Sequence, residues 1–158
     1  MVDRYDTSNL TEDQYESGSN GTVLRNLLGI TTPEDMEVAE TAELWLVQEK
    51  LFGEVSRDQS FTVEDICQMH RQWLGRIYAW AGRSRSVNIS KDGFDFAMAR
   101  VITTMLEEFE REQLRKLTPC LFTNRDDVAH ALAEVHVEFM LIHPFRKETA
   151  VWGGCWQH

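Results

Sequence analysis

Residues 98–109 read MARVITTMLEEF, and the apolar side chains of this stretch recur at helical spacing. Counted from the first of them, the apolar positions follow i, i+3, i+4, i+7, i+8 and i+11, which places them on one face of a helix. These positions are Met98, Val101, Ile102, Met105, Leu106 and Phe109. The pattern predicts a helix that buries one face in a core and ends near Thr118-Pro119.

Two segments before this stretch carry signals for the start of a helix. In Thr32-Pro33-Glu34-Asp35 a capping hydroxyl precedes a proline at the first helical position and acids in the first turn, which predicts a helix running to about Phe52. Thr62 with Asp65 predicts the start of a second helix, and Gly82 is expected to end it.

A further helix is predicted after Thr123 and Asp126, and Pro144 is expected to stop it because proline cannot continue a helix. Its apolar stripe consists of Val128, Ala131, Leu132, Val135, Phe139 and Ile142. The predicted fold class is therefore mostly α.

Residues 83–96 lack the helical period and predict a β-hairpin instead. Apolar residues alternate on both sides of Lys91-Asp92-Gly93, at Val87, Ile89, Phe94 and Phe96. Asp-Gly between two such runs is the strongest short-range signal for a hairpin. A two-stranded hairpin leaves unpaired edges, so we expect it either to be covered or to bind an extended peptide.

The composition restricts the classes of function. The chain has 158 residues, 42% hydrophobic and 27% charged, which suits one soluble domain. A net charge of -10 disfavours a nucleic-acid partner, because binding to phosphate backbones needs a basic surface. No apolar run approaches the roughly 20 residues of a membrane span, and the acidic start lacks a signal-peptide pattern. We therefore expect no membrane partner and a cytoplasmic location.

The spacing of cysteine and histidine does not indicate a metal site. Cys67, Cys120 and Cys155 are odd in number and widely spaced, which is typical of reduced thiols. The five histidines contain no H-E-x-x-H pattern. His143 differs from the others because Pro144 forces it out of the helix. Its imidazole is expected to face solvent and to act near its unperturbed pKa, which suits a general base near neutral pH.

His143-Pro144-Phe145 alone is too short a match to identify a site, but two further blocks precede it. Residues 88–96 read NISKDGFDF, and before them His70-Arg71 leads to residues 77–82, IYAWAG. In order and spacing across residues 62–146, the three blocks resemble the Fic (Fido) family of protein adenylyltransferases. The resemblance implies a Fic-type helical domain with a β-hairpin flap, and it leads us to expect that this domain is C-terminally truncated.

The resemblance also implies a reaction and its residues. His143 would act as general base on a Ser, Thr or Tyr hydroxyl of a target protein, whose oxygen would attack the α-phosphate of ATP and expel pyrophosphate. Pro144 and Phe145 would anchor the motif. The flap that aligns the target would use Asn88, Ile89, Ser90, Lys91, Gly93 and Phe94, with Lys91 and Phe94 nearest the substrate.

The chain departs from the family pattern after Arg146. The family motif reads His-Pro-Phe-x-(Asp/Glu)-Gly-Asn-(Gly/Lys)-Arg, in which the acid holds Mg²⁺ and the glycine-rich backbone cradles phosphates. Here Lys147 stands at the acid position and Glu148 lies one position out of register, so the motif supplies no metal ligand. ATP and Mg²⁺ are expected for an intact family member, and this chain is expected not to bind them.

Residues 147–158 read KETAVWGGCWQH, a composition unlike that of any earlier segment. When this segment is back-translated and one G is inserted after the Arg146 codon, the chain continues Glu-Gly-Asn-Gly-Arg-Leu-Gly-Arg-Leu-Leu-Ala-Thr, which restores every missing motif residue. We interpret the tail as the result of a one-nucleotide deletion, by mutation or sequencing error; a naturally diverged end is the alternative. The predicted organisation is a flexible leader over 1–22, a Fic domain over 23–146 and an aberrant tail over 147–158.

The sequence leaves three functions open. The first is AMP transfer, defective in the chain as written. The second is a non-catalytic helical binding module, and the third is phosphoryl transfer on the same scaffold. The implied partners are a target protein with a modifiable hydroxyl and an antitoxin-like inhibitor. Ser8–Asp13 matches the family's inhibitory motif only approximately, so inhibition is expected from a separate antitoxin-like partner or from the lost C-terminal part.

Overall fold

A computed structural model describes residues 9–147 of the chain. The helices are α1 (Pro33–Glu54), α2 (Val63–Leu74), α3 (Ile102–Phe109), α4 (Arg115–Leu117) and α5 (Arg125–Ile142), and the strands are β1 (Ser90–Lys91) and β2 (Phe94–Asp95). The predicted fold class, mostly α with one hairpin, is confirmed. Within residues 9–147, no helix is both long enough and apolar enough to cross a membrane. The described chain forms two compact units, 9–55 with 66–83 and 56–65 with 84–147.

The first unit is built around α1 and the second half of α2. Thr32 caps α1 as predicted, because its hydroxyl oxygen accepts a hydrogen bond from the Asp35 N–H at 3.3 Å. On the inner face of α1, the buried Glu40 accepts a hydrogen bond from the Tyr78 hydroxyl at 2.7 Å. The large apolar side chains buried in this core include Trp73, Leu74, Ile77 and Tyr78.

Residues 9–22 belong to the segment that the sequence predicts to be a flexible leader. In the structure, Thr11–Asp13 form a 3₁₀ turn, and Tyr15 pairs with Leu24 in an isolated antiparallel bridge. The side chain of Ser19 is buried. This part of the leader has a defined path held by turns and hydrogen bonds, which its polar composition does not predict.

α2 begins where the sequence predicts but ends at Leu74 rather than near Gly82. At its start, the Thr62 N–H donates to the Asp65 carboxylate at 2.8 Å and the Asp65 N–H donates to the Thr62 hydroxyl oxygen at 3.2 Å, a reciprocal cap. At its end, the Ile77 N–H bonds the Leu74 carbonyl at 2.9 Å. The same carbonyl also accepts the Tyr78 N–H at 2.8 Å, so an i to i+3 contact is added where the regular helix ends, although Ile77 continues the apolar period.

The second unit contains α3 and α5. α3 runs into a π-helical turn (Glu110–Leu114) and then α4, and the helix ends before Thr118-Pro119, as predicted. The Glu110 carboxylate accepts the N–H of Val63, the first residue of α2, at 2.9 Å. The buried apolar side chains of this unit include Ile102, Leu106, Phe109, Leu114, Phe139 and Ile142.

α5 is capped by Asn124 rather than by Thr123. The Asn124 side-chain oxygen accepts the N–H of Asp126 at 2.9 Å, so the helix starts one residue later than a Thr123 cap would place it. Its last residue is Ile142, two positions before Pro144, as the sequence predicts.

The predicted β-hairpin is confirmed, although each strand has only two residues. The register places Ser90 opposite Asp95 and Lys91 opposite Phe94. Asp92 and Gly93 form the turn with φ of 51° and 81°, the pair of positive φ values that an Asp-Gly type I′ turn requires. Beyond the strands, the Phe96 N–H donates to the Ile89 carbonyl at 3.2 Å and extends the pairing.

Candidate active site

His143 stands at the C-terminal end of α5, where the helix gives way to Pro144. Its N–H still donates to the Phe139 carbonyl at 2.9 Å, but φ of 47° and ψ of 64° place its backbone in the left-handed region. A residue before proline usually adopts an extended backbone, and a non-glycine residue in the left-handed region costs about 1 to 2 kcal/mol. The chain therefore turns sharply at the residue that the sequence singles out.

The imidazole of His143 is only partly exposed, because it stacks on the ring of Phe96. The two ring centroids are 4.1 Å apart and the ring planes differ by 21°. Burial, followed by the positive charges of Arg85 and Lys91, lowers the pKa of His143 to about 4. The expectation of a solvent-facing imidazole with an ordinary pKa is therefore wrong. At neutral pH the ring carries no charge, and it is in the form that can accept a proton.

Arg85 is the residue of this site that sequence reasoning missed. Its side chain is 2% exposed, and its Nε donates to the carbonyl of His143 at 2.7 Å. An arginine within the polar run Arg83-Ser84-Arg85-Ser86 has no local pattern that distinguishes it from a surface charge. Its role depends on carbonyls about 57 residues away in the chain, which no local signal reveals.

The predicted flap residues all lie on or beside the hairpin, and most are exposed. The Asn88 side-chain oxygen accepts the N–H of Ala99 at 2.9 Å, which fixes the base of the hairpin. Phe94 is 51% exposed and meets the ring of Phe96 edge-on, with centroids 5.2 Å apart. The remaining predicted flap residues are the partly buried Ile89 and the exposed Ser90, Lys91 and Gly93.

The two residues after His143 are buried. Pro144 is among the most deeply buried large side chains, and its carbonyl accepts the Arg85 N–H at 2.7 Å. Phe145 is 2% exposed, and its ring centroid lies 6.2 Å from that of Phe139. Both side chains therefore face away from solvent beneath His143.

His70, from the block preceding the hairpin, has a structural environment within the first unit. It is buried, and its Nδ1 accepts the Gly82 N–H at 2.9 Å. The ring centroids of Trp73 and Trp80 lie 5.9 and 6.4 Å from that of His70. The imidazole thus fixes the turn that ends at Gly82, where φ is 79°.

Arg146 and Lys147, the described residues after Phe145, offer no carboxylate for Mg²⁺. Arg146 and Lys147 are the last described residues, and Lys147 places a positive charge where the motif requires a metal-binding carboxylate. Within residues 9–147, no group of three or more His, Cys, Asp or Glu side chains is placed to hold a metal ion. Glu148 and the rest of the tail lie outside the described residues.

Comparisons with known proteins agree with the motif. The sequence profile of the Fic/DOC family matches residues 60–147. A curated relative, the protein adenylyltransferase VbhT of Bartonella schoenbuchensis, is 31% identical over 149 residues, which cover 91% of this chain and 29% of VbhT. The chain thus spans less than a third of that relative's length.

Solved structures show the same fold. The N-terminal Fic domain of a Bep effector from Bartonella sp. AR 15-3 has a TM-score of 0.75 at 20% identity, covering 93% of this chain and 70% of that one. BepC from Bartonella tribocorum, with bound AMPPNP, has a TM-score of 0.71 at 19% identity, covering 88% and 71%. A Fic domain from Bartonella quintana with bound ADP has a TM-score of 0.69 at 20% identity, covering 85% and 68%.

Proposed function

The chain belongs to the Fic/DOC family, and on that premise we propose that its functional form transfers AMP from ATP to a Ser, Thr or Tyr hydroxyl of a target protein. The similarity to a protein adenylyltransferase supports this reaction. The nucleotides AMPPNP and ADP in two structures of the same fold support a nucleotide substrate. We assign the domain to residues 23–146 and the reaction to the cytoplasm, where ATP is supplied.

The observation that carries the proposal is the placement of His143. Its uncharged imidazole sits at the end of α5, beside the hairpin and stacked on Phe96. In the proposed step, an imidazole nitrogen takes the proton of the target hydroxyl while the oxygen forms a bond to the α-phosphorus of ATP. The bond to the leaving pyrophosphate breaks, and AMP remains on the target. The low pKa keeps His143 ready to accept this proton at neutral pH.

The hairpin is the proposed surface for aligning the target. Lys91 and Phe94 are exposed at its tip, and a two-stranded hairpin has edges that can pair with an extended segment of another chain. Main-chain pairing would fix the register of the target, and the side chains near the turn would select its sequence. Asn88, Ile89, Ser90 and Gly93 complete the proposed flap.

We further propose that the chain as written is inactive, because Lys147 replaces the Mg²⁺-binding acid and the phosphate-cradling glycines are absent. Insertion of one G after the Arg146 codon would restore that motif and give the frame-restored chain. The tail over 147–158 is then a product of the lost reading frame. No clean inhibitory motif occurs in these 158 residues, so we assign inhibition of the functional form to an antitoxin-like partner or to the lost C-terminal part.

The proposal is tested with the frame-restored chain, Mg²⁺, a cell extract and ATP labelled at either the α- or the γ-phosphate. We expect label on protein only from the α-position, and His143→Ala should lower this transfer by about 100-fold or more while leaving ATP affinity and the circular dichroism spectrum unchanged. Transfer of the γ-label would instead identify a phosphotransferase. The absence of both ATP binding and transfer would favour the non-catalytic binding module, which has no nucleotide site.

A further inference from the structure

The side chain of Arg85 connects two parts of the second unit. It is 2% exposed, and its guanidinium donates to four backbone carbonyls. The distances are 2.7 Å from Nε to His143, 2.6 Å from Nη1 to Val87, 2.6 Å from Nη2 to Ala97 and 3.3 Å from Nη2 to Ile142. The backbone N–H of Arg85 also donates to the Pro144 carbonyl at 2.7 Å.

These acceptors belong to two structural groups. Ile142 and His143 are the last residue of α5 and the residue that follows it. Val87 and Ala97 lie before β1 and after β2, at the two ends of the hairpin segment. One planar group therefore holds the end of the helix and both legs of the hairpin.

Arginine suits this position for two reasons. The last carbonyls of a helix have no partner within the helix, and a positive charge near them is stabilised by the helix dipole. The guanidinium also presents five donors in a rigid fork, whereas a lysine ammonium has three donors on one atom and cannot reach acceptors on several sides. A Lys at position 85 would keep the positive charge but could not bind the carbonyls of α5 and of the hairpin at the same time.

This bridge, the set of hydrogen bonds from Arg85 to the end of α5 and to the hairpin, also determines where His143, the candidate general base, lies relative to the hairpin. Phe96, which stacks on His143, precedes Ala97, and its N–H is held by Ile89 across the hairpin. Arg85 binds the carbonyl of Ala97 on one side and the carbonyl of His143 on the other. A movement of the hairpin away from α5 must therefore break bonds to Arg85 and separate the two stacked rings.

We propose that Arg85 is a positioning residue that holds His143 and the hairpin as one unit, so that the base and the strand aligning the target stay in register. Its importance for AMP transfer rests on the proposed function, whereas the mechanical coupling does not. General bases need placement within hydrogen-bond reach of the proton they remove, and small displacements reduce rates strongly. Arg85 acts through His143 and does not itself need to touch the substrate.

The coupling can be measured by NMR in the 158-residue chain as written, without any activity. The first readout is the imidazole Cε1–H resonance of His143, which the stacked Phe96 ring shifts upfield and which a His143→Gln variant identifies. The second is hydrogen exchange of the Phe96 amide. The Gly82 amide, held by His70 in the other unit, reports on global unfolding. The variants are Arg85→Met and Arg85→Lys, with the exposed Arg83→Met as matched control.

In both Arg85 variants we expect the His143 resonance to lose its upfield shift. The Phe96 amide should exchange at least about tenfold faster while the Gly82 amide changes little. Arg83→Met should alter none of these readouts. An unchanged His143 resonance, or equal acceleration at Phe96 and Gly82, would overturn the proposal, because Arg85 would then contribute only general stability.

A measurement on the unmodified chain keeps the proposal testable if neither Arg85 variant folds. The bridge requires the Arg85 Nε–H to exchange much more slowly than the Nε–H of the exposed Arg83. Equal exchange rates at the two arginines would refute the bridge. Because none of these readouts involves nucleotide or target, failure of the AMP-transfer proposal would leave the result interpretable.

Discussion

The conformation of His143 is unfavourable in two respects and is stabilised by two contacts. Its left-handed backbone and its partly buried, uncharged ring are both unfavourable relative to an ordinary exposed histidine. The bond from Arg85 to its carbonyl and the stack on Phe96 offset these costs. Unfavourable local conformations persist where the surrounding structure holds them, and they often occur at functional sites.

The depressed pKa of His143 predicts a pH dependence of stability. Unfolding returns the pKa from about 4 to its ordinary value of 6.5, so between these values the unfolded chain binds more protons. The free energy of unfolding should therefore decrease as the pH falls through this window. His143→Asn removes the titrating group, and asparagine tolerates the left-handed backbone.

Urea unfolding of the 158-residue chain and of His143→Asn checks this prediction. The stability of the unmodified chain relative to the variant should decrease as the pH is lowered from about 7 to about 4.5. Exposed carboxylates titrate in both proteins, so their contributions cancel in the difference between the two free energies of unfolding. A difference that does not change with pH would mean that the imidazole has an ordinary pKa.

At the residue scale, the sequence identified His143 but not its environment. Pro144 correctly predicted the break in the helix, because the steric effect of proline is local. The burial of the ring depends on Phe96 from the hairpin, and the charge near it depends on Arg85. Both come from residues distant in the chain, and local patterns carry no information on such contacts.

At the scale of the hairpin, the register determines which groups are available to a target. Ile89 and Phe96 are joined by a hydrogen bond, so the next pair, Ser90 and Asp95, is of the type whose N–H and carbonyl groups point away from the partner strand. The outward donor of β1 is therefore the N–H of Ser90. That of β2 is the N–H of Asp95.

Ser90→Pro removes the outward donor of β1 and leaves the pairing within the hairpin in place. In the frame-restored chain it should lower AMP transfer to the labelled target about tenfold or more while ATP affinity stays the same. Asp95→Pro is the matched control on the opposite edge. Equal effects of both substitutions on transfer and ATP binding would count against main-chain pairing at β1.

At the scale of the helices, the π-helical turn after α3 brings Glu110 to the start of α2. Its carboxylate accepts the Val63 N–H and binds Arg115, each at 2.9 Å. The bond from Val63, followed by that from Arg115, lowers the pKa of Glu110. The carboxylate therefore stabilises the fold above its ordinary pKa, and this contribution is lost as the pH falls.

Glu110→Ala removes the oxygen that accepts the Val63 N–H and should lower the free energy of unfolding by about 1 kcal/mol at neutral pH, the usual magnitude of a lost helix cap. The matched control is Glu108→Ala, because Glu108 forms an exposed ion pair with Arg111 at 3.7 Å. Such pairs contribute about 0 to 1 kcal/mol. Chemical denaturation of the two variants checks the prediction, and equal losses would show that Glu110 does not act as a cap.

Element starts were more predictable than element ends. Thr32, the Thr62–Asp65 pair and the Asp92-Gly93 turn each encode their structure within four residues, and the structure contains all three. The end of α2 was misplaced because the apolar period continues through Ile77 while the backbone tightens at Leu74. Periodicity reports burial, and a buried turn can keep the same period.

At the scale of the whole molecule, the family profile matches residues 60–147, whereas the nucleotide site of the proposed function depends on the residues from position 147 onward. Lys147 introduces a positive charge where the family motif requires a carboxylate, so a Mg²⁺ ion would be repelled rather than held. Removing the metal ligand and the phosphate-binding backbone also removes electrostatic stabilisation of the transition state, commonly several kcal/mol. His143 alone cannot supply that contribution.

We therefore expect the chain as written to show no binding of ATP with Mg²⁺ and no AMP transfer, and the frame-restored chain to show both. Isothermal titration calorimetry measures the first, and incorporation of the α-label measures the second. Lys147→Glu in the chain as written is the matched control: it returns the acid without the glycines, the asparagine or the arginine. It should not restore nucleotide binding, because a single carboxylate leaves the phosphates without their backbone donors. If Lys147→Glu alone restored nucleotide binding, the defect would lie in the charge at position 147 and not in the missing glycines, asparagine or arginine. AMP transfer by the unmodified chain, to itself or to another protein, would show that the present tail suffices and would overturn the proposal that the altered tail makes the chain inactive.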